Sequence, residues 1–365
     1  MKVSGYFCLV LGLASFGMAM SSPVRAEVPD HAEVVAKALA PTTDWPAPLP
    51  GPRAQPDRNV VYLAASLRNG GILAVGEGLS EAAAAIGWSL DVRDARGEDG
   101  RINEILTELS LNPPDALVVG GFDAVTHASA LGALAALGTK IVGWHAGAVP
   151  GPIPNTPVEL NVTTDPYEVA RVAASYAIAL TGGEARAVIF TDERYGIAVT
   201  KSTEMARVID SCDRCEVLEI VNLKLDETQK EMPTVIERLM ATYGDRWNAT
   251  LGINDLYFDD AALPLAFAGV APNGQIVNIS AGDGSFTACK RIRIDNFQAA
   301  TVPEPLNYQG WQLVDELNRL FAGEPVTGFV APTKLVIPQN VDADGGVNNI
   351  FDPENGYREA FAANW

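Results

Sequence analysis

Short apolar segments alternate with helical segments along most of this chain, and this alternation is what most limits the folds it can adopt. Eleven predicted strands fall at 60–65, 89–92, 116–119, 140–143, 160–162, 187–191, 217–221, 249–253, 275–281, 299–302 and 333–336. Eight predicted helices fall at 73–86, 101–111, 123–137, 167–180, 198–209, 228–243, 256–268 and 308–321. Strands that are apolar on both faces are typical of parallel sheets covered by helices on each side.

The number of strands predicts two sheets rather than one. An ordinary open sheet rarely holds so many strands, and a Pro- and Gly-rich stretch at 146–157 interrupts the pattern. Hydrophobic residues make up 48% of the 365 residues and charged residues 19%, which is enough apolar material for a large core. We therefore predict an α/β protein with two doubly wound parallel-sheet lobes.

The first 26 residues have the features of an export signal. Lys2 is followed by an apolar run at 6–20 and by Val24-Arg25-Ala26, a small-x-small pattern typical of signal peptidase sites. The run is too short for a spanning helix, so an uncleaved anchor is the less favoured alternative. Cys8 lies too far upstream of the cleavage pattern for a lipoprotein acylation site. We expect a soluble, periplasmic protein, with a Pro-rich arm at 27–58 that includes a short helix at 33–40.

The net charge excludes one class of partner. The chain carries a formal charge of −19, and removing Lys2 and Arg25, the only charged residues of the first 26, leaves −21. A nucleic-acid binder needs a basic face to neutralise phosphates, so we expect no nucleic-acid partner. An anionic membrane surface is excluded for the same reason.

Three cysteines follow the leader. Cys212 and Cys215 have the spacing of a redox motif or half a zinc site, but no second Cys or His pair accompanies them. Because export favours oxidation, we expect them to form a small disulfide, with a thioredoxin-like role as the alternative. We interpret Cys289 as a buried thiol.

No catalytic motif stands out. The sequence contains no GxSxG, HExxH or GxxxxGK[ST] pattern. Gly76 and Gly78 lie inside a predicted helix, where helix packing explains them better than nucleotide binding. The segment that starts at Asp342 resembles a calcium loop, but residues without ligand oxygens occupy two of its positions, so a turn is the better interpretation. We therefore expect no enzymatic activity, cofactor or metal.

Polar residues cluster just after the predicted strands, where open parallel sheets bind ligands. Six such segments, in order, are VVYLAASLRNGG at 60–71, GWHAG at 143–147, NVTTDP at 161–166, GINDLYF at 252–258, ISAGDGS at 279–285 and ATVPEPLNYQGWQLVDEL at 300–317. Together they make residues 59–341 resemble the type I periplasmic solute-binding proteins of ABC transporters, the group of the ribose- and galactose-binding proteins.

The resemblance implies two lobes joined by three crossovers, near Thr163, Glu304 and Thr333. The first lobe would comprise 59–163 plus 305–333 and the second 164–304 plus 334–345, leaving 346–365 as a tail. It also implies a small polyhydroxylated ligand such as a sugar, polyol or sugar acid, a membrane permease as partner, and a monomer. A sensor that presents the ligand to a receptor kinase or chemoreceptor, and an exported enzyme with this fold, are the alternatives.

The resemblance also implies which residues bind the ligand. The family's binding residues map onto Asn69, His145, Lys201, Asn254, Asp283 and Glu304. Gly70 and Gly71 replace the aromatic residues that sugar binders often carry there, so Trp144, Tyr195 and Tyr257 are candidates for stacking. Asp165 completes the predicted site. Seven of these residues have a structural alternative: helix capping for Asp283 and Asn254, with Asp255 the better cap, packing for the aromatic residues and His145, and a solvated helix position for Lys201.

Overall fold

The computed structural model describes residues 1–2 and 30–365, so Cys8 and the cleavage pattern of the predicted leader lie outside the described residues. Helices in the described part are α1 His31–Ala38, α2 Gly70–Ile86, α3 Asp99–Leu111, α4 Ala128–Ala136, α5 Pro166–Leu180, α6 Gly196–Asp210, α7 Thr228–Tyr243, α8 Leu256–Phe267, α9 Phe286–Arg293, α10 Leu306–Ala322, α11 Val341–Asp344 and α12 Tyr357–Asn364. Strands are β1 Asn59–Ala64, β2 Ser89–Asp94, β3 Ala116–Gly120, β4 Lys140–Trp144, β5 Asn161–Val162, β6 Arg186–Thr191, β7 Glu216–Asn222, β8 Ala249–Gly252, β9 Val277–Ser280 and β10 Ala300–Thr301.

The strands form two five-stranded, fully parallel sheets with the same internal order. The first sheet runs β2-β1-β3-β4-β5 and the second, read from its other edge, runs β7-β6-β8-β9-β10. The central strands β1, β3, β6 and β8 are almost wholly buried, as expected for strands covered on both faces. The predicted two-lobe α/β fold is confirmed.

Each lobe has its own hydrophobic core, and the chain enters both lobes more than once. The first core gathers residues from β1 to β5, from α10 and from the C-terminal helix α12. The second gathers residues from α5 to β10, together with Ala38 of α1 and Leu335 and Ile337 after α10. Residues 346–365, which we expected to be a separate tail, therefore contribute Tyr357 and Phe361 to the core of the first lobe.

Several elements differ from the sequence prediction, which included neither a helix at α11 nor one at α12. Residues 333–336 do not form a strand, because only Val336 pairs, as an isolated antiparallel bridge to Thr301, while the Leu335 amide donates to the Ala38 carbonyl of α1. Helix α9 was not predicted, because it is short and mostly polar. The Ser285 hydroxyl caps it by accepting from the Ala288 amide at 3.3 Å.

Helices α2 and α10 pack through glycines. A Cβ built on Gly78 would lie 2.6 Å from the Asn307 carbonyl oxygen, and one built on Gly310 would lie 2.4 Å from the Leu79 nitrogen. A Cβ on Gly76 would lie 2.9 Å from the ring of Tyr62. Helix packing therefore accounts for Gly76 and Gly78, as the sequence indicated.

Alanine at position 78 is expected to destabilise the first lobe. The added methyl group would meet the backbone of α10, which cannot yield as a flexible side chain can. Overpacking of this kind costs about 1–3 kcal/mol of unfolding free energy, more than the helix propensity gained over glycine. Urea denaturation of Gly78→Ala beside Gly132→Ala, a helical glycine with open space around its Cα, measures the difference. Equal midpoints would contradict the close packing.

The remaining sequence expectations concern the cysteines and the acidic loop. Cys212 and Cys215 are joined by a disulfide at the turn between α6 and β7. Cys289 is buried, and burial raises the pKa of its thiol to about 12. In the segment after Val341 the guanidinium of Arg293 contacts Asp342, the carbonyls of Val341 and Gly346, and Asn349, so an arginine fills the centre of the loop.

None of the helices in the described part has the length and apolar character needed to cross a membrane.

Candidate functional site

A cavity of about 60 Å³, within a cleft that is partly open to solvent, lies between the lobes at the carboxyl ends of both sheets. In each sheet the strand order reverses beside the first strand, between β1 and β3 and between β6 and β8, and open parallel sheets bind ligands at this position. The first lobe lines the cavity with Ala65, Ser66, Arg68, Asn69, Ile72, Gly97, Gly121, Trp144 and His145. The second lines it with Tyr195, Ile197, Ala198, Lys201, Leu225, Asp226, Ile253, Asn254, Leu256 and Asp283.

Asp283, directly after β9, presents an unsatisfied acceptor to this cavity. Its Oδ2 accepts from Asn254 Nδ2 at 2.7 Å, whereas its buried Oδ1 has no hydrogen-bond partner among the described residues. Burial raises the pKa of Asp283, and the positive groups His145 and Lys201 only partly offset this. A buried acceptor without a partner costs about 1–3 kcal/mol, so a hydroxyl that donates to Oδ1 would relieve that cost.

Asp255 holds the loop that carries Asp283. Its Oδ2 accepts from the amides of Gly284 and Ser285 at 2.8 and 3.0 Å, and its Oδ1 accepts from Gln298 and Thr301. The side chain that caps α8 belongs instead to Asn254, whose Oδ1 accepts from the Leu256 amide at 2.9 Å. Asp255 occupies the N-cap position of α8, as expected, but its side chain makes no capping hydrogen bond, because its carboxylate is already used by the loop.

His145 lies between the cavity and the hinge. Its Nε2 is 2.7 Å from Oε1 of Glu304, and since a carboxylate can only accept, Nε2 carries the proton. Glu304 is fully buried, and its Oε2 also accepts from Gln309 Nε2 and from the Thr164 amide. Glu304 therefore joins two crossovers and orients His145, whose Nδ1 remains 3.9 Å from Asp283 Oδ1.

The pKa of Glu304 makes acid stability a test of this arrangement. Burial alone would raise it, but the charge and hydrogen bond of His145, with Lys201 and Gln309, lower it from 4.5 to about 2. A lowered folded-state pKa contributes stability that is complete above pH 4.5 and is lost as the pH falls toward 2. The unfolding free energy of the wild type should therefore fall more steeply over this range than that of Glu304→Gln. If urea titrations show that the unfolding free energies of the two proteins depend equally on pH, this role of Glu304 is contradicted.

Lys201 brings a buried ammonium group to the same space. It lies on α6 with only 2% of its surface exposed, and its closest carboxylate is Glu304, with Nζ 3.9 Å from Oε1. This distance is longer than a hydrogen bond, and Nζ makes no hydrogen bond within the part of the chain described here. Its interpretation as a solvated helix residue is wrong, because the side chain points inward.

Three further predicted residues, Asn69, Trp144 and Tyr195, line the cavity, and the polar groups of the first two already make hydrogen bonds within the protein. Asn69 is the N-cap of α2, and its Oδ1 accepts from the Gly71 amide at 2.9 Å, which leaves its amide NH₂ free. The Trp144 indole stacks on His145 at 3.7 Å and donates to Gln309 at 2.7 Å, so it packs and lines the wall at once. Burial raises the pKa of Tyr195 to about 12, so its hydroxyl stays protonated.

Three predicted residues, Glu304, Tyr257 and Asp165, do not line the cavity; Glu304 is fully buried and bonds to His145 instead. Tyr257 is buried in the core of the second lobe, where it stacks on Phe190 and donates its hydroxyl to the Leu223 carbonyl at 2.7 Å. Asp165 is the N-cap of α5 and accepts from the Tyr167 amide at 2.9 Å. The structure thus gives packing to Tyr257 and capping to Asp165, and we no longer count either among the candidate ligand contacts.

Several residues that line the cavity were not predicted from the sequence. Gly97 follows β2, and Leu225 and Asp226 follow β7. Both are edge strands, and extending the search for residues after strand ends to these two strands would have identified all three residues. Ile197 and Ala198 lie in the first turn of α6. Together with Ile72 and Ile253 they make much of the wall apolar.

Glycines allow the two lobes to approach closely around the cavity. A Cβ on Gly71 would lie 2.3 Å from Oδ2 of Asp283, and one on Gly70 would lie 2.7 Å from Cβ of Ser285. Across the rim, a Cβ on Gly97 would lie 3.0 Å from Asp226. The structure therefore represents a closed arrangement, in which aromatic side chains at 70 and 71 would not fit.

The polar cluster also has the spacing of a metal site. One nitrogen or oxygen atom each from His145, Asp283 and Glu304 lies within 4.8 Å of the others. However, Nε2 of His145 is already engaged by Glu304, and the Lys201 ammonium, 3.9 Å from the same carboxylate, would repel a cation. The cluster is better suited to hydrogen bonding.

Solved structures with this architecture provide a comparison. A galactofuranose binding protein is similar over 83% of this chain and 99% of its own, with 14% identity and a TM-score of 0.68. An ABC transporter solute binding protein from Mycobacterium smegmatis with bound glycerol matches over 81% and 99%, with 18% identity and a TM-score of 0.69. A Caulobacter myo-inositol binding protein matches over 80% and 96%, with 17% identity and a TM-score of 0.66. At such identities the likeness shows the fold.

Sequence comparison identifies the family. No match is found among curated proteins. The family model described as periplasmic binding protein domain matches residues 60–325, which is most of the chain. This region contains both sheets and every residue that lines the cavity. The chain therefore belongs to the periplasmic binding protein family, with the type I fold of two parallel-sheet lobes.

Proposed function

We propose that this protein is the periplasmic solute-binding component of an ABC importer and holds a small polyhydroxylated ligand, such as a sugar, polyol or sugar acid, between its lobes. The observation that supports this most directly is the convergence on one cavity of three polar groups without a hydrogen-bond partner among the described residues. They are Oδ1 of Asp283, Nδ1 of His145 and Nζ of Lys201. No covalent chemistry is needed for this function.

Adjacent hydroxyl groups match these three groups. One ligand hydroxyl can donate to Asp283 Oδ1 while its neighbour accepts from Lys201, because each hydroxyl is both a donor and an acceptor. Hydrogen bonds to charged partners contribute about 1.5–3 kcal/mol each. Ile72, Trp144 and Ile253 offer apolar surface to the C–H groups of such a ligand.

Closure couples binding to a change in lobe position. Asp283 and Lys201 belong to the second lobe, whereas His145 and Trp144 belong to the first. A ligand that contacts both sets binds the closed form better, so it shifts the population toward closure. The closed, loaded form would then dock on a membrane permease.

A ligand screen tests the proposal. Glycerol, allitol, myo-inositol, L-arabinose and galactose form a suitable panel, because similar structures contain the first three or L-arabinofuranose and another belongs to a glucose-galactose binding protein. A ligand at 100 times its dissociation constant should stabilise the protein by about 2.7 kcal/mol, visible as a rise in melting temperature. Calorimetry then gives the affinity. If no sugar, polyol or sugar acid shifts the melting temperature, the proposed ligand class is wrong.

Export is the second part of the proposal. The family is one of periplasmic binding proteins, and Val24-Arg25-Ala26 provides the predicted cleavage pattern. N-terminal sequencing of the protein recovered from a periplasmic extract should begin at Glu27. Recovery of the protein only from the cytoplasm, with Met1 retained, would contradict export.

A further inference from the structure

The N-terminal arm is fastened to the second lobe at its start. Helix α1 packs on α5, with Ala38 inside the second core and His31 Nδ1 3.0 Å from the Ser175 hydroxyl. The end of the helix is held by Lys334, which is 2% exposed and donates to the Ala40 carbonyl at 2.8 Å. Lys334 also pairs with Asp344 at 3.1 Å, so one buried cation links the arm to the C-terminal segment.

The same arm is fastened to the first lobe ten residues later. Arg319 of α10 donates to the carbonyls of Leu49 and Pro50, at 3.1 and 2.8 Å. Asn318 donates to the Pro52 carbonyl and accepts from the Gln55 amide, both at 2.9 Å. Proline has no amide hydrogen, so a proline-rich segment offers mainly carbonyls, and side chains of α10 satisfy them here.

The C-terminal segment makes the same crossing. Helix α11 lies on the second lobe, where Val341 packs with Cys289 and Ile292 of α9. Helix α12 lies on the first lobe, where Tyr357 and Phe361 join the core. The two terminal segments thus connect the lobes in addition to the crossovers near Thr163, Glu304 and Thr333.

The two extra crossings meet between the lobes. The Trp45 ring packs edge-on against the Phe351 ring, with centroids 5.6 Å apart, and Phe351 is 1% exposed. Asn355 Nδ2 lies 3.4 Å from the Pro46 carbonyl, at the long end of hydrogen bonding. Residues 40–49 and 345–356 therefore form one joined structure, which we call the brace.

We propose that the brace stabilises the closed arrangement of the lobes and so regulates the binding site; this inference rests on the proposed function. Its anchors lie on α5 and α10, in different lobes, so opening must displace one relative to the other. Prolines at 41, 46 and 48 limit how freely the segment can adapt. The contacts at the junction exist when the lobes are closed. Because opening would break them, they lower the free energy of the closed form relative to the open form and so raise the closed population. That population in turn sets the apparent affinity for the ligand.

Solution scattering of the ligand-free protein tests the brace without any ligand. A compact chain of this length has a radius of gyration of about 20 Å. Trp45→Ala and the double variant Pro46→Gly/Pro48→Gly should increase the radius of gyration, because the junction or the stiff segment is lost. Trp45→Phe, which keeps an edge contact, and Pro56→Gly, an exposed proline beyond the first-lobe anchor, should scatter like the wild type.

The outcomes separate the brace from the proposed function. Circular dichroism establishes that each variant is folded, and hydrogen exchange at the amides of 69–72 should rise only in the two loosened variants. If folded variants and controls give the same radius and exchange, or if the wild type already scatters as an open form, the brace proposal is overturned. A failed ligand screen would leave these measurements unaffected and would count only against the proposed ligand.

Discussion

Gly71→Ala is expected to weaken ligand binding by about 5- to 150-fold while shifting the ligand-free protein toward the open form at a smaller cost in stability. The added Cβ would lie 2.3–2.6 Å from atoms of Asp283, which belongs to the other lobe. Overpacking costs about 1–3 kcal/mol, and here the cost falls only on the closed state. The apparent dissociation constant rises as the closed fraction falls.

The open state should tolerate the same methyl group. Gly71 is the second residue of α2 and has ordinary helical geometry, so alanine gains helix propensity of about 0.5–1 kcal/mol there. Gly100→Ala is a matched control, because Gly100 is the second residue of α3 and has open space around it. Calorimetry and melting curves on both variants make the comparison. Wild-type affinity in Gly71→Ala would show that the lobes do not close as described.

Asp283→Asn is expected to reduce affinity by about 10- to 150-fold. The substitution keeps the shape of the side chain but removes the charged acceptor, and a hydrogen bond to a charged group contributes about 1.5–3 kcal/mol. The ligand-free protein should lose no stability, because the variant removes a carboxylate whose burial already raises its pKa. Titration calorimetry with the ligand found in the screen measures the loss.

The pH dependence of binding provides a second readout for Asp283. Its raised pKa means that it takes up a proton at a pH above the usual 3.8, so the affinity of the wild type should fall on acidification earlier than for an ordinary aspartate. Asp283→Asn should lack this component, whereas Asp210→Asn, at the exposed end of α6, should bind like the wild type. Equal affinity in both variants would place the ligand elsewhere.

The sequence predicted which residues gather at the site but not the role of each one. Asp283 and His145 were found because each follows a strand, and parallel topology brings those positions to one edge of each sheet, whereas Lys201 was identified only through the family resemblance. The roles within that set could not be assigned in this way. The side chain of Asn254 makes the capping hydrogen bond of α8, although Asp255 is the N-cap residue, because the Asp255 carboxylate binds a loop 29 residues further along the chain.

Tyr257 is a residue that the sequence wrongly suggested as a ligand contact. It is the second residue of α8, five residues after the end of β8, yet its side chain points into the second core and donates to the Leu223 carbonyl. The direction of a side chain at the start of a helix depends on how that helix docks, which local sequence does not reveal. The brace was hidden for a similar reason, since a proline-rich arm gains its partners from residues almost 300 positions away.

The sequence by itself determined the two α/β lobes and the edge of each sheet at which a ligand would bind, because apolar periodicity and strand–helix alternation are local properties that survive in any conformation. Tertiary structure alone decided that Gly70 and Gly71 bring the lobes into contact, that Glu304 orients His145, and that both chain termini cross between the lobes. These features are distances between segments far apart in sequence, and only the packing of whole lobes sets them.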